Sequence, residues 1–172
     1  VDSNAEMSPQ DFMNAQVAIN AGKGKASVSG TITAGTQAKG GEVTVQADEV
    51  EVTSTASVDA SGDNAGGSIK IGGVCQGKDP TMPNARPTGV QPGAALTADA
   101  RVSGNGGTVI VWSDKATAFG GAISAKGGSL SGDGGFAEVS GKQWLSFQGT
   151  ANTLAANGGN GTLLLDPTNI DV

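Results

Sequence analysis

The chain holds 172 residues, of which 29 are glycine and none is histidine or tyrosine, so glycine stands well above its usual ~7%. Without histidine, every Ser-His-Asp or Cys-His arrangement is excluded, as is the commonest metal ligand. A net charge of −6, a pI near 4.4 and only ten Lys and Arg argue against nucleic acid and anionic membrane as partners, both of which need clustered cations.

Leu, Ile, Val and Phe supply only 33 residues, close to the composition of disordered chains, but the charge density is too weak to keep the chain expanded. Order is therefore expected. No apolar run approaches the ~18 residues of a membrane span, so no membrane insertion is expected. The first residues, Val1-Asp2-Ser3-Asn4, lack a basic segment followed by an apolar core, and any signal peptide would lie upstream or have been removed. Cys75 is the single cysteine and cannot form an internal disulfide.

In chain order, Ser8-Pro9-Gln10-Asp11-Phe12-Met13 carries an N-cap, a proline at the first helical position and an acid in the first turn. This predicts a short capping helix within a segment spanning 1–16. From Val17 onward the sequence repeats. Glycine followed by alternating apolar residues recurs at Gly40-Gly41 (Val43, Val45), Gly66-Gly67 (Ile69, Ile71), Gly106-Gly107 (Val109, Val111), Gly134-Gly135 (Ala137, Val139) and Gly161 (Leu163, Leu165), while Val17 and Ile19 fit the frame without the glycines. The steps from Val17 are 26, 26, 40, 28 and 26 residues.

Two further alternating segments follow within the period. One includes Glu49–Val52, Thr117–Phe119 and Leu145–Phe147; the other includes Ile32–Ala34, Val58–Ala60, Leu96–Ala98, Ile123–Ala125 and Thr153–Ala155. Each is too short for a helix and has the period of a half-buried strand. Strands this short bury a face only by stacking on copies of themselves, which predicts a three-sided parallel β-helix over 17–172 with about six coils of ~26 residues. Glycines at the corners are expected to supply left-handed dihedrals, and Thr, Ser, Asp and Lys between the apolar positions to face water.

The extra residues of the long step fall in 74–93, which holds Pro80, Pro83, Pro87 and Pro92. Proline removes ladder donors, so this whole stretch is expected to leave the sheet as a loop. The next coil carries outward Ile110 and Trp112, where its neighbours carry Thr44, Lys70 and Glu138. The loop is expected to fold over them. Ile110, Trp112 and Leu164 are the candidate interaction patch, because outward apolar side chains among small polar ones are the informative exception.

Of the outward acids Glu42, Asp48, Glu49, Glu51, Asp59 and Glu138, most lie on different faces or non-adjacent coils. The short stretch of Asp48, Glu49 and Glu51 meets no acid in the equivalent strands of the next coils, where Lys115, Thr117 and Ser146 stand, whereas glycoside hydrolysis needs two carboxyls converging to roughly 5–9.5 Å. A solvated strand face is the better reading, and no catalytic residue is assigned. Asp59-Ala60-Ser61-Gly62-Asp63-Asn64 and Ser131-Gly132-Asp133-Gly134-Gly135 lack the repeating aspartates of calcium-binding rolls. Their Asp and Asn are expected to brace turns through their own backbone. No metal or cofactor is expected.

Residues 106–114 (GGTVIVWSD), 134–142 (GGFAEVSGK) and 161–170 (GTLLLDPTNI) resemble the repeat of filamentous-haemagglutinin-type exoproteins exported by two-partner secretion. Ile71-Gly72-Gly73, Gln76-Gly77 and Pro83-Asn84-Ala85 are similar to the inserted loop that precedes those blocks. The resemblance covers a little over half the chain; the first 65 residues match only in period, and the Asn-Pro-rich motif of the family's secretion domain is not found.

The resemblance implies a right-handed β-helical stalk, secreted or held at the bacterial surface, in an adhesin whose parent protein crosses the outer membrane through a β-barrel transporter. It transfers no catalytic residue. A receptor or glycan on another surface would be the partner, and the chain's stop at Asn169–Val172, inside what should be a further coil, is expected of a longer natural protein. Two alternatives remain open: a carbohydrate-binding or carbohydrate-active β-helix stacking Trp112 or Trp144 on a sugar, and a fibre subunit that associates end to end.

Overall fold

The computed structural model describes residues 15–172. The predicted helix over Ser8–Met13 lies outside the described residues. The first coil comprises β1 (Gln16–Asn20), β2 (Lys25–Val28) and β3 (Thr31–Thr33); the second, β4 (Glu42–Gln46), β5 (Glu49–Val52) and β6 (Ser57–Asp59). The third has β7 (Ser68–Ile71), β8 (Pro87–Val90) and β9 (Ala95–Thr97); the fourth, β10 (Thr108–Ser113), β11 (Ala116–Phe119) and β12 (Ala122–Ser124). β13 (Phe136–Gly141), β14 (Trp144–Phe147) and β15 (Thr150–Asn152) make the fifth, and β16 (Thr162–Leu164) with β17 (Asn169–Asp171) the sixth.

Equivalent strands of successive coils pair in parallel, giving one sheet of six strands from the first of each coil, another six from the second, and five from the third. The chain is a three-sided β-solenoid, as the repeat predicts. At ~4.8 Å per coil it rises about 25 Å.

Register places like on like. In the first sheet Val17, Val43, Ile69, Val109, Ala137 and Leu163 are successive partners, and Ile19, Val45, Ile71, Val111 and Val139 form a second column. Val43, Ile69 and Val109 are wholly buried. The third sheet contributes Ile32, Val58, Leu96, Ile123 and Ala151. The second contributes Val28, Val52, Val90, Phe119 and Phe147, the two phenyl rings stacked with centroids 5.4 Å apart. A slip of one residue would turn each column out to water.

Glycine works differently from the expectation. Gly41, Gly67, Gly107, Gly135 and Gly161 form a column of their own, and none has positive φ. They are required because the coils touch there: a Cβ on Gly67, Gly107, Gly135 or Gly161 would overlap the carbonyl oxygen of the preceding glycine in the column, and one on Gly41 the carbonyl oxygen of Ala15. Each also closes its corner by donating its N–H to the end of the previous strand segment, as in Gly67 to Ala60 O at 2.8 Å and Gly107 to Ala98 O at 2.7 Å. Among the described glycines, left-handed backbone falls on others, such as Gly104 and Gly132.

Three further expectations need correction. The stretch 74–93 does not leave the sheet throughout, because Pro87 opens β8, which pairs with β5 and β11; proline is tolerated at the first residue of a strand. The third strand of the fifth coil is Thr150–Asn152, with Ala151 opposite Ile123, and not Thr153–Ala155; Leu154 is exposed. Finally, Thr88 and Thr117 point inward and are buried. Their hydroxyls donate to Trp112 O and Ser140 O, each at 2.8 Å, which removes the cost of burying them.

Gly107→Ala should destabilise the protein by about 1–3 kcal/mol, the cost of inserting a group that forces the backbone to shift. Gly89→Ala, where a Cβ meets nothing within 4 Å, should be neutral or stabilising by about 0.5–1 kcal/mol, since glycine in a strand costs that much conformational entropy. Urea unfolding of the two variants checks the contrast.

Candidate functional site

The outward face of the first sheet carries one column of Ala18, Thr44, Lys70, Ile110, Glu138 and Leu164, and beside it Trp112 opposite Ser140. Residues 72–86 leave after β7 and return into β8, so the loop starts one coil before this apolar pair. It folds over them. Ile110 and Trp112 are each 4% exposed, so neither presents surface to a partner. Leu164, part-buried in the last coil, is the one member of the candidate patch outside this cover.

The cover is built from backbone and small residues. A single 3-10 turn, Cys75–Gly77, sits against β10, and a Cβ on Gly73 or Gly77 would come within 2.7 Å of the indole ring. Both positions therefore exclude larger side chains. Asn84 ties the loop down by donating its Nδ2 to Gly77 O at 3.2 Å and to Asp114 Oδ1 at 3.0 Å. The same carboxylate oxygen accepts the indole N–H of Trp112 at 3.4 Å.

A second anchor reaches one coil further. Glu138 is 0% exposed and accepts the backbone N–H of Gln76 at 3.2 and 3.3 Å. Gln76 adopts φ +54, the one positive φ among the described non-glycine residues, and that conformation turns its N–H toward the carboxylate. No cation pairs with Glu138 among the described residues. The loop's N–H thus joins the Cys75 thiol in satisfying a carboxyl that is wholly buried. Desolvation, followed by hydrogen bonding and charge from Glu138, pushes the Cys75 thiol up to about 11. At the returning end, Arg86 forks onto Asp48, with Nε at 3.0 and 3.1 Å and Nη2 at 2.7 Å.

The remaining outward acids are bound to cations of neighbouring coils. Lys25 bridges Glu49 at 2.9 Å and Glu51 at 2.6 Å, Lys70 meets Glu42 at 2.6 Å, Arg101 meets Asp59 at 3.2 Å and Lys126 meets Asp99 at 3.2 Å. The hydrogen bonds with Lys25 hold the Glu51 carboxyl below its ordinary range and raise the Lys25 ammonium. Asp59 also accepts the N–H of Ser61 at 2.8 Å, the turn-bracing role expected of it. Trp144 lies on the second sheet beside Ala116 and is 48% exposed. Among the described residues, no group of three or more Cys, Asp or Glu side chains is placed to hold a metal.

Fold and surface together define a β-solenoid domain whose largest inserted loop is locked to its own wall. No family profile and no curated protein matches the chain. Among solved structures it is similar to the HMW1 secretion domain from Haemophilus influenzae, with a TM-score of 0.66 and 28% identity over 90% of this chain. The chain spans 38% of the length of that protein. This likeness agrees with the filamentous-haemagglutinin-type resemblance in the sequence.

What sequence reasoning missed is the Glu138–Gln76 contact. Glu138 reads as one more solvated acid, and the clue would have been its place in register between Ile110 and Leu164. In acrylamide quenching, Trp144→Phe should leave a shielded Trp112 and Trp112→Phe an accessible Trp144. Alkylation of Cys75 should stay slow until the pH approaches about 11 and should accelerate in Glu138→Gln, because the thiolate is the reactive form and the neighbouring carboxylate opposes it.

Proposed function

We propose that the chain is a structural and adhesive solenoid segment of a secreted bacterial surface protein, exported through an outer-membrane β-barrel transporter and acting by shape, without catalysis. The observation that carries this reading is the stack of registered columns on three sides. It makes a stiff rod in which each coil is held to the next along three ladders. The haemagglutinin-type sequence blocks and the likeness to a secretion domain support export to the cell surface. No helix in the described residues is long and apolar enough to cross a membrane.

The charged surface agrees with a mechanical role. Pairing Glu42, Glu49, Glu51, Asp48, Asp59 and Asp99 with cations ties coil to coil and leaves those carboxylates engaged, whereas acid-base catalysis on a sugar needs two carboxyls free to face one bond. Contacts with another surface would fall on Leu164 and the outer rim of the 72–86 loop, with Ile110 and Trp112 setting the loop's position from below.

Stretched along its axis in a single-molecule instrument, the chain should resist load, lose its end coils singly and then lengthen in one larger step as the coils tied by the 72–86 loop open together. Incubated with matrix and host polysaccharides, it should release no reducing ends. Turnover of any of these polymers, lost in the Glu49→Gln and Glu51→Gln double variant, would instead assign it to the carbohydrate-active β-helices.

A further inference from the structure

The chain has three Asn-Gly pairs: Asn105-Gly106, Asn157-Gly158 and Asn160-Gly161. Asn-Gly is the dipeptide at which a chain most readily modifies itself. The glycine nitrogen attacks Cγ of the asparagine side chain, and glycine has no Cβ to block the approach. Whether the attack occurs depends on the fold, because a nitrogen whose N–H is given to an ordered carbonyl is held in place and keeps its proton.

All three asparagines are exposed, in the corners that lead from the third sheet to the first, yet their glycines differ. Gly106 donates its N–H to Asp133 O at 2.9 Å, and Gly161 donates to Thr153 O at 2.7 Å. Their asparagine side chains are fixed as well: Asn105 Oδ1 accepts the N–H of Asp133 at 2.9 Å and Asn160 Oδ1 that of Ala155 at 3.3 Å. Gly158 is exposed, and among the described residues no backbone carbonyl takes its N–H. The Asn157 amide is held by one exposed bond, Nδ2 to Ser129 O at 2.9 Å, which water replaces at little cost.

We propose that Asn157 is a site of spontaneous backbone modification in the folded chain, yielding an aspartyl or isoaspartyl residue that loosens its corner. The Gly158 nitrogen loses its proton to solvent and bonds to Asn157 Cγ; the Cγ–Nδ2 bond breaks, and ammonia leaves. Water then opens the five-membered imide at either carbonyl, so no oxidant, reductant or enzyme is needed. Opening at the main-chain carbonyl routes the backbone through the side-chain carbons and lengthens it by one atom.

The corner has no room for that atom. A Cβ on Gly158 would overlap Gly132 O and stand 2.8 Å from Asp133 Oδ1, so this backbone already rests on the coil before. The new carboxylate also withdraws the donor from Ser129 O and sets a negative charge near Asp133, whose Oδ1 takes the N–H of Gly159 at 2.8 Å. Both changes weaken the stacking of 153–161 on 125–135. The site is independent of the adhesive reading, and either can fail alone.

The full chain is aged in mildly alkaline buffer at physiological temperature, and mass-spectrometric peptide maps follow amide-to-acid conversion at the three asparagines. In the folded chain Asn157 should convert at least about tenfold faster than Asn105 or Asn160, whose glycine nitrogens react only after local opening. In urea the three rates should converge. Asn157→Gln, whose longer side chain closes the ring poorly, should stay intact there and keep its melting temperature through ageing, while that of the parent falls. Three equal rates in the folded chain, faster conversion at Asn105 or Asn160, an Asn157 that converts only in urea, or a converted parent that melts no lower than aged Asn157→Gln would each overturn the proposal.

Discussion

The structure depends on the contact between backbones at the glycine column. Coils can stack at strand spacing on three sides only if the corner between the third sheet and the first is as thin as the sheets. There the space a Cβ would occupy is filled by the carbonyl oxygen of the coil before. That oxygen is also bonded, since Gly67 O accepts the N–H of Thr108 and Gly107 O that of Phe136. Steric exclusion and hydrogen bonding thus set the same spacing. The apolar columns add burial, but the glycines fix the register in which burial occurs.

Much of this was legible because a solenoid repeats. Six copies of one pattern reveal inward positions that one copy would leave ambiguous, and the columns headed by Val17 and Ile19 emerged from spacing alone. Legibility failed where side-chain chemistry departs from the pattern. Thr88 and Thr117 look like outward polar residues, yet they sit inside because carbonyls at the neighbouring corner accept their hydroxyls. Pro87 looks like a loop residue, yet it starts a strand because its first position needs no N–H. Ala151 carries too small an apolar signal to outweigh Leu154, so the third strand of the fifth coil is misplaced by three residues.

The candidate site was legible in half. An outward tryptophan and isoleucine next to an insertion point to a covered face, and the cover is there. The means of attachment were hidden, because they use main-chain groups: the N–H of Gln76, the carbonyl of Gly77, and two glycines whose role is to be small against an indole.

The loop also changes how the rod comes apart. In a simple solenoid each repeat feels only its nearest neighbours, and fraying can stop at any boundary. Here a segment of the third coil is bonded to the fourth through Asp114 and to β13 through Glu138, while Arg86 reaches back to Asp48 in the second. Four consecutive repeats are thereby fused into one cooperative block. Thermal or tensile melting that begins at an end meets a barrier there, and the interior of the segment opens all at once or stays closed.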